Sequence, residues 1–324
     1  MSKISIIIPV HNTAIYLHKC VESVRNQSLK DIEIILVDNL STDGSSELCD
    51  EYTLIDSRIK VLHLSVAGLS IARNAGINIA TSQYIGFVDS DDYVEPNMYQ
   101  DMLSALLENQ AEMVYCNFCY EYEDQRTEYL YPNSGKTYVK SRKDALREIL
   151  CDKISSSSCS KLFKKELFAS ILFPEGVFFE DHATVYKWMN LCQTIVWVDI
   201  TYYHYLQREG SICHTLNPIK RYHFFLAEYP RLEFAKEQSL FEGDELFNVT
   251  TQIVRNCLYY FKQFMLIGKP KDHRELIENM RQKLRCWLLL PKSDLDDKYY
   301  KRLRKISYFW SIYYFTHYYF KKKN

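Results

Sequence analysis

The sequence predicts an α/β protein: a mostly parallel sheet flanked by helices, followed by a helical C-terminal region. Three observations carry this. Over the first 120 residues, short β-branched runs alternate with stretches of helical period. Aspartates stand at the ends of two of those runs, where open parallel sheets take their ligands. Beyond Pro218 the period is helical, with breaks near Gly243, at Gly268-Lys269-Pro270 and at Pro291.

The elements follow in order. Ile4–Ile8 is a buried strand ending at Pro9, and Leu17, Cys20, Val21 and Val24 recur at helical spacing. Ile32–Val37 is the second strand, after which Ser41-Thr42-Asp43 caps a helix running to Tyr52. Ile59–Leu64 is a strand, Leu69–Ala80 a helix, Tyr84–Val88 a strand, Pro96–Glu108 a helix and Glu112–Phe118 a strand. This alternation reads as βαβ units. Residues 121–160 are polar and irregular and read as a loop or lid. Glu180–Cys192 reads as a helix and Ile195–Tyr205 as a strand. No internal repeat is visible.

Composition narrows the function classes. Of 324 residues, 47% are apolar and 25% charged, which excludes a disordered chain, and 9 Gly with 8 Pro exclude collagen-like or low-complexity classes. A net charge of −1 gives no basic field for general nucleic-acid binding. The charge is uneven, however: Lys298–Asn324 carries eight Lys/Arg and no acid. Within it, eleven of the fifteen residues Ile306–Phe320 are Ile, Phe, Tyr or Trp. A helix of that length reaches only about 22 Å, short of the roughly 30 Å hydrocarbon core. The expectation is a tail that docks on an anionic membrane surface without spanning it. The Ile4–Ile8 run is too short for a signal peptide. Ten Cys without an export signal read as reduced, buried thiols. Cys116 and Cys119 form the only C-x-x-C, and on a strand they face opposite sides, which favours core over metal or redox use.

Acids gather where strands end. Asp38 closes Ile34-Ile35-Leu36-Val37, and Asp89-Ser90-Asp91-Asp92 closes Tyr84–Val88. Three carboxylates in four residues repel one another unless positive charge sits among them. A hard divalent cation holding a diphosphate answers that need, and an acidic turn leading into a helix is the plain alternative. The cluster is not alone. Ile6-Ile7-Ile8-Pro9-Val10-His11-Asn12, Glu33–Asp43, Ala72-Arg73-Asn74-Ala75-Gly76 and Phe87-Val88-Asp89-Ser90-Asp91-Asp92 resemble, in order and spacing, the motifs of the family 2 glycosyltransferases.

That resemblance implies a Rossmann-like GT-A fold, a nucleotide-sugar donor, a divalent metal (Mn2+ or Mg2+) and inversion at the anomeric carbon. It implies that Pro9, Val10, His11 and Asn12 lie beneath the nucleobase and that Asp38 accepts from a uracil imide. Arg73 is implied to meet the diphosphate, Asp89 the ribose or metal, and Asp91 the metal, with Asp92 orienting the site. The chain departs from the family at Asn39 and Leu40, where Asp-Gly is frequent, which alters the floor of the nucleotide pocket.

Downstream, Glu180-Asp181 opens the expected helix, whose dipole would favour the ionised forms. The family carries such a pair, and by resemblance Asp181 is the base that deprotonates the acceptor, with Glu180 as acceptor contact or fallback. Simple helix capping is the structural alternative. Lys161, in Lys161-Leu162-Phe163, is a candidate contact to acceptor or diphosphate, with a plain surface lysine as the alternative. Arg208 is a candidate diphosphate brace, and His204 or His214 a candidate to complete the metal shell against a purely structural role.

The reading is an inverting hexosyl- or hexosaminyltransferase that moves a sugar, expected from a UDP-sugar, to a hydroxyl of a glycan or lipid-linked acceptor in surface-polysaccharide (capsule) assembly. The alternatives are a sugar nucleotidyltransferase and an inactive carbohydrate-binding module on the same fold. The expected domains are a GT-A catalytic domain over 1–215, a helical region over 216–297 and a basic aromatic tail over 298–324. The expected location is cytoplasmic, peripheral on the inner face of the membrane, with no nucleic-acid partner.

Overall fold

The computed structural model describes residues 2–208, 217–268 and 272–309. The chain forms two compact units, Met1–Leu146 with Ser155–Ser211, and Arg147–Ile154 with Ile212–Asn324. In chain order the elements up to residue 211 are β1 (Ile4–Val10), α1 (Ala14–Arg25), β2 (Ile32–Asp38), α2 (Ser45–Ile55), β3 (Ile59–His63), α3 (Leu69–Ile79), β4 (Tyr84–Phe87), β5 (Tyr93–Val94), α4 (Met98–Glu108), β6 (Met113–Tyr122), β7 (Thr127–Tyr129), β8 (Thr137–Ser141), α5 (Arg142–Leu150), β9 (Lys161–Lys164), α6 (Val185–Leu191) and β10 (Thr194–Gln207).

In the first unit the sheet runs β3-β2-β1-β4-β9-β6-β10-β5, with β7 on β6 and β8 on β10. The strands β3, β2, β1 and β4 are mutually parallel, as are β6 and β10, and β9 lies antiparallel between the two groups. Every residue of β1, β2 and β4 is buried, as expected of parallel strands covered on both faces. Gly76 on α3 permits close approach of that helix to β1. A Cβ there would stand 2.5 Å from Ile7 Cγ2.

Two expectations give way. The polar stretch 121–160 is not a loop: it contains β7, β8 and α5. Its two strands are exposed over most of their length, so no alternation of apolar and polar residues marks them. The expected helix over Glu180–Cys192 begins only at Val185. Phe179 has φ 62°, and this left-handed residue sets residues 180–184 in turns ahead of the helix.

The second unit holds α7 (Pro218–Glu228), α8 (Pro230–Glu237), α9 (Gly243–Ile267), α10 (Arg274–Cys286) and α11 (Asp297–Tyr308), with two short 3-10 turns between α10 and α11. The stripe Val249, Ile253, Val254, Cys257, Phe261 and Phe264 buries the inner face of α9. Arg231, fully buried, is held by Glu228 at 2.9 Å and Asp152 at 3.3 Å. The basic tail begins in α11, which buries Leu303 and Ile306 and leaves Lys298, Lys301, Arg302, Arg304 and Lys305 exposed. Arg281 donates to the carbonyls of Ile306 and Ser307 at 3.2 and 3.1 Å, satisfying the last turn of α11. Residues 310–324, the greater part of the aromatic run, lie outside the described residues.

Candidate active site

The acids predicted from strand ends gather at the carboxyl edge of β1, β2 and β4. Pro9 and Val10 end β1 as buried residues, and His11 and Asn12 begin the exposed loop. His11 Nδ1 lies 2.7 Å from the Asn39 carbonyl, and Asn12 Oδ1 accepts from the Thr42 amide at 2.8 Å, so the loops after β1 and β2 are tied together. Asn12 and Leu40 have φ of 52° and 58°. A left-handed backbone at Leu40 accounts for glycine being frequent at this position in the resembling family, since a bulky side chain is strained there.

Asp38 is buried, with one oxygen accepting from the Ser41 amide at 3.0 Å and the other 3.0 Å from His63 Nδ1. Burial works to lift its carboxyl, but the hydrogen bonds from His63 and Ser41 prevail and hold it below the usual value. His63 in turn reaches Asp50 at 3.0 Å, and its hydrogen bonds to Asp38 and Asp50 raise its pKa. Sequence reasoning missed His63. The available signal was register, because His63 stands directly beside Asp38 at the end of β3.

Arg73 projects from α3 and is only 3% exposed. Its guanidinium donates to Asp89 Oδ1 at 2.8 Å and to Glu180 Oε1, and it lies over the Phe173 ring at 5.3 Å. Burial works against its charge, and the two carboxylates more than restore it, raising its pKa. Glu180, expected to contact the acceptor, is one of these two carboxylates. It is buried against Arg73, and burial pushes its carboxyl up to about 7 against the pull of that arginine. No helix dipole supports it, because α6 starts five residues later.

Asp181 differs from its neighbour. It is half-buried, and its Oδ1 takes the His182 amide at 2.7 Å. Its Oδ2 has no protein partner among the described residues. A carboxylate with an open oxygen beside a committed one is the arrangement that proton abstraction from a hydroxyl requires.

In the acidic turn, the Asp92 amide donates to the Asp89 carbonyl at 2.9 Å. Asp91 accepts from Arg208 Nε at 2.7 Å. Burial, then the Asp89 charge, raises the Asp91 pKa, with Arg208 pulling it back. Two crowded, half-buried carboxylates, one lifted by the other, are a hard-oxygen donor set suited to a divalent cation with diphosphate oxygens. Asp92 is buried, accepting from the Tyr203 hydroxyl at 2.6 Å and the Leu206 amide at 2.9 Å, which ties the turn to β10. The Tyr203 hydroxyl also accepts from the Asp89 amide at 3.1 Å. Tyr203 thus bridges the two ends of the turn, a role the sequence did not reveal.

Two further expectations are corrected. Lys161 is not a surface lysine. It is 1% exposed and its ammonium donates to the carbonyls of Ser155 and Ser157 at 2.9 and 2.6 Å, stapling the serine run. Burial lowers its pKa to about 8. His204 does not reach the Asp89–Asp91 pair, lying instead between Glu95 and Glu121. His214 falls outside the described residues.

The fold is that of an α/β protein with its candidate site at the carboxyl edge of a mostly parallel sheet, where such sheets take their ligands. The family model for glycosyl transferase family 2 matches residues 5–172, just over half of the chain. The chain belongs to this family and is a glycosyltransferase. It is 37% identical over 222 residues to the glycosyltransferase GlyG of Streptococcus pneumoniae, covering 65% of this chain and 73% of GlyG. It is 33% identical over 218 residues to GlyA of the same organism, covering 65% of this chain but only 31% of GlyA. The structure is similar to that of S. aureus TarS 1-349 in complex with UDP-GlcNAc. The TM-score is 0.71 at 19% identity, covering 95% of this chain and 91% of that one, a likeness of fold. These findings favour glycosyl transfer over the nucleotidyltransferase alternative and support the GT-A assignment.

Proposed function

We propose that the protein is an inverting glycosyltransferase that moves a hexosyl or hexosaminyl group from a UDP-sugar to a hydroxyl of a glycan or lipid-linked acceptor, in surface-polysaccharide assembly at the inner face of the membrane. The observation that carries the reading is the contrast between Asp181, with an open Oδ2, and Glu180, committed to Arg73. In the transfer, the acceptor oxygen forms a bond to the anomeric carbon as its proton passes to Asp181 Oδ2. The bond from that carbon to the diphosphate breaks on the opposite face, and the nucleoside diphosphate leaves with the electron pair. Asp38 and the loop Pro9–Asn12 hold the nucleobase. Arg73 and Arg208 set positive charge beside Asp89 and Asp91 where the diphosphate lies. Asp91 with Asp89 would hold a divalent ion, Mn2+ or Mg2+, which would supply positive charge to the leaving diphosphate. The UDP and UDP-GlcNAc complexes of the similarly folded TarS support the choice of donor.

The test is a panel of labelled UDP-sugars with and without Mn2+, run on the wild type and on Asp181→Asn. The variant keeps UDP-sugar binding and loses transfer by about 10²–10⁴-fold, the usual worth of a general base. An active Asp181→Asn beside a dead Glu180→Gln overturns the assignment of the base. Absence of any transfer from UDP-sugars overturns the donor.

A further inference from the structure

On the far side of the Asp92–Tyr203 contact, β6 and β10 bring together three metal-ligating side chains of different chemistry. Cys119 and His204 are register partners across the two strands, and Glu121 follows Cys119 by two residues on the same face of β6. Cys119 Sγ lies 3.3 Å from His204 Nδ1, that nitrogen lies 2.9 Å from Glu121 Oε1, and the sulfur lies 4.0 Å from the same oxygen. Ligands held tetrahedrally at zinc bond lengths stand about 3.3–3.6 Å apart, so the three atoms form a triangle close to the size a Zn2+ ion requires.

The surroundings fit the same use. His204 Nε2 lies 2.8 Å from Glu95 Oε1, the carboxylate partner that fixes the other ring nitrogen as a ligand. The Tyr93 ring stacks on the imidazole at 4.2 Å and 8°, and Lys19 Nζ sits 3.3 Å over that tyrosine. Thr127 donates to Glu121 and orients its carboxylate. Cys119 and His204 are both buried. Cys116 takes no part: its thiol is directed to the Ser160 carbonyl. The pairing is therefore across strands rather than within the C-x-x-C.

We propose that Cys119, Glu121 and His204 form a Zn2+ site, separate from Asp89 and Asp91, with Glu95 as the outer partner of His204 and water in the fourth position. A thiolate, imidazole and carboxylate set selects zinc over the hard cations that an all-carboxylate site takes. Its consequence is mechanical. The ion would cross-link β6 to β10, the strand whose Tyr203 and Leu206 hold Asp92. Without an ion, the same groups read as a histidine bridging two carboxylates, with the Cys119 thiol donating to the Tyr203 carbonyl at 3.8 Å.

The experiment uses the full chain. Elemental analysis after dialysis against metal-free buffer should give about one zinc per chain. Replacing it with Co2+ should produce a thiolate-to-cobalt charge-transfer band. Cys119→Ser should abolish the band, and Glu95→Gln should weaken zinc binding by about 10–100-fold. Asp91→Ala should leave the band intact, which separates this site from the oxygen-only one. His204→Gln guards against a misfolded Cys119 variant: zinc should raise the melting temperature of the wild type and not of His204→Gln. No thiolate band with Co2+, or a band that survives in Cys119→Ser, overturns the proposal.

Discussion

Arg73 and Glu180, 107 positions apart in the chain, meet in a buried ion pair that also draws in Asp89. The pair joins α3 to the turn that carries Asp181. Its cost and its pH dependence follow from burial. A charge pair out of water is stable only with its partners in place, and removing one member leaves the other uncompensated.

The first prediction concerns that pair. Glu180 holds its proton up to about 7 in the folded state, against an ordinary 4.5 in the unfolded chain. The raised folded value means its contribution to stability is fully present below 4.5 and is lost as the pH rises through about 7. The corresponding free energy is on the order of 3 kcal/mol. Denaturant titrations between pH 4.5 and 7.5 should show the wild type losing stability with rising pH relative to Glu180→Gln. Parallel profiles for the two proteins would exclude Glu180 as the titrating group.

A second prediction tests how Arg73 is positioned. Gly76, one turn beyond it, lets α3 rest on Ile7. Gly76→Ala should force the helix away from β1, cost about 1–3 kcal/mol by overpacking, and depress transfer through displacement of Arg73. Adding Ile7→Ala reopens the space, so the double variant should recover transfer relative to Gly76→Ala alone. Activity unaffected by Gly76→Ala would show that α3 has room to spare.

The C-terminal tail gives the third. Because α11 buries Leu303 and Ile306, removing the whole tail would also expose core. The clean truncation ends at Phe309. Full-length protein should float with anionic vesicles at low salt and be released as salt screens the exposed lysines and arginines of α11, over about 8–10 Å at physiological ionic strength. The chain ending at Phe309 should float less, and reversing Lys301, Arg302 and Lys305 to Glu should abolish flotation. Equal flotation of all three proteins would remove the tail from the account.

The parallel half of the sheet was legible because β1, β2 and β4 are buried on both faces and so read as unbroken Ile, Val and Leu runs. The acids at their ends were legible for the same reason, since a strand that stops at Asp38 or before Asp89 announces its own edge. What escaped was whatever depends on partners distant in sequence. β7 and β8 are short and exposed and exist as strands only by pairing with β6 and β10. Residues 180–184 satisfied a helical template, but Phe179 takes a left-handed backbone and delays α6. Lys161 looked like any lysine until the Ser155 and Ser157 carbonyls closed over it. Glu180 and Asp181 are adjacent and chemically alike, and only Arg73 tells them apart.

The bridge made by Tyr203 has a bearing on the order in which the protein is made. A chain that has been synthesised through residue 172 already carries every motif in the matched family stretch, yet Glu180, Tyr203, Leu206 and Arg208 do not exist. At about 5–20 residues per second, the stretch from 173 to Arg208 takes roughly another 2–7 s to appear. For that interval β5 and β6 lack the strand that pairs with both of them, and the three aspartates of the turn lack Arg208 and the tyrosine that ties the turn's ends. The nascent chain thus carries three crowded carboxylates before the residues that reconcile them, and β10 takes its place between β6 and β5 only after both have been made.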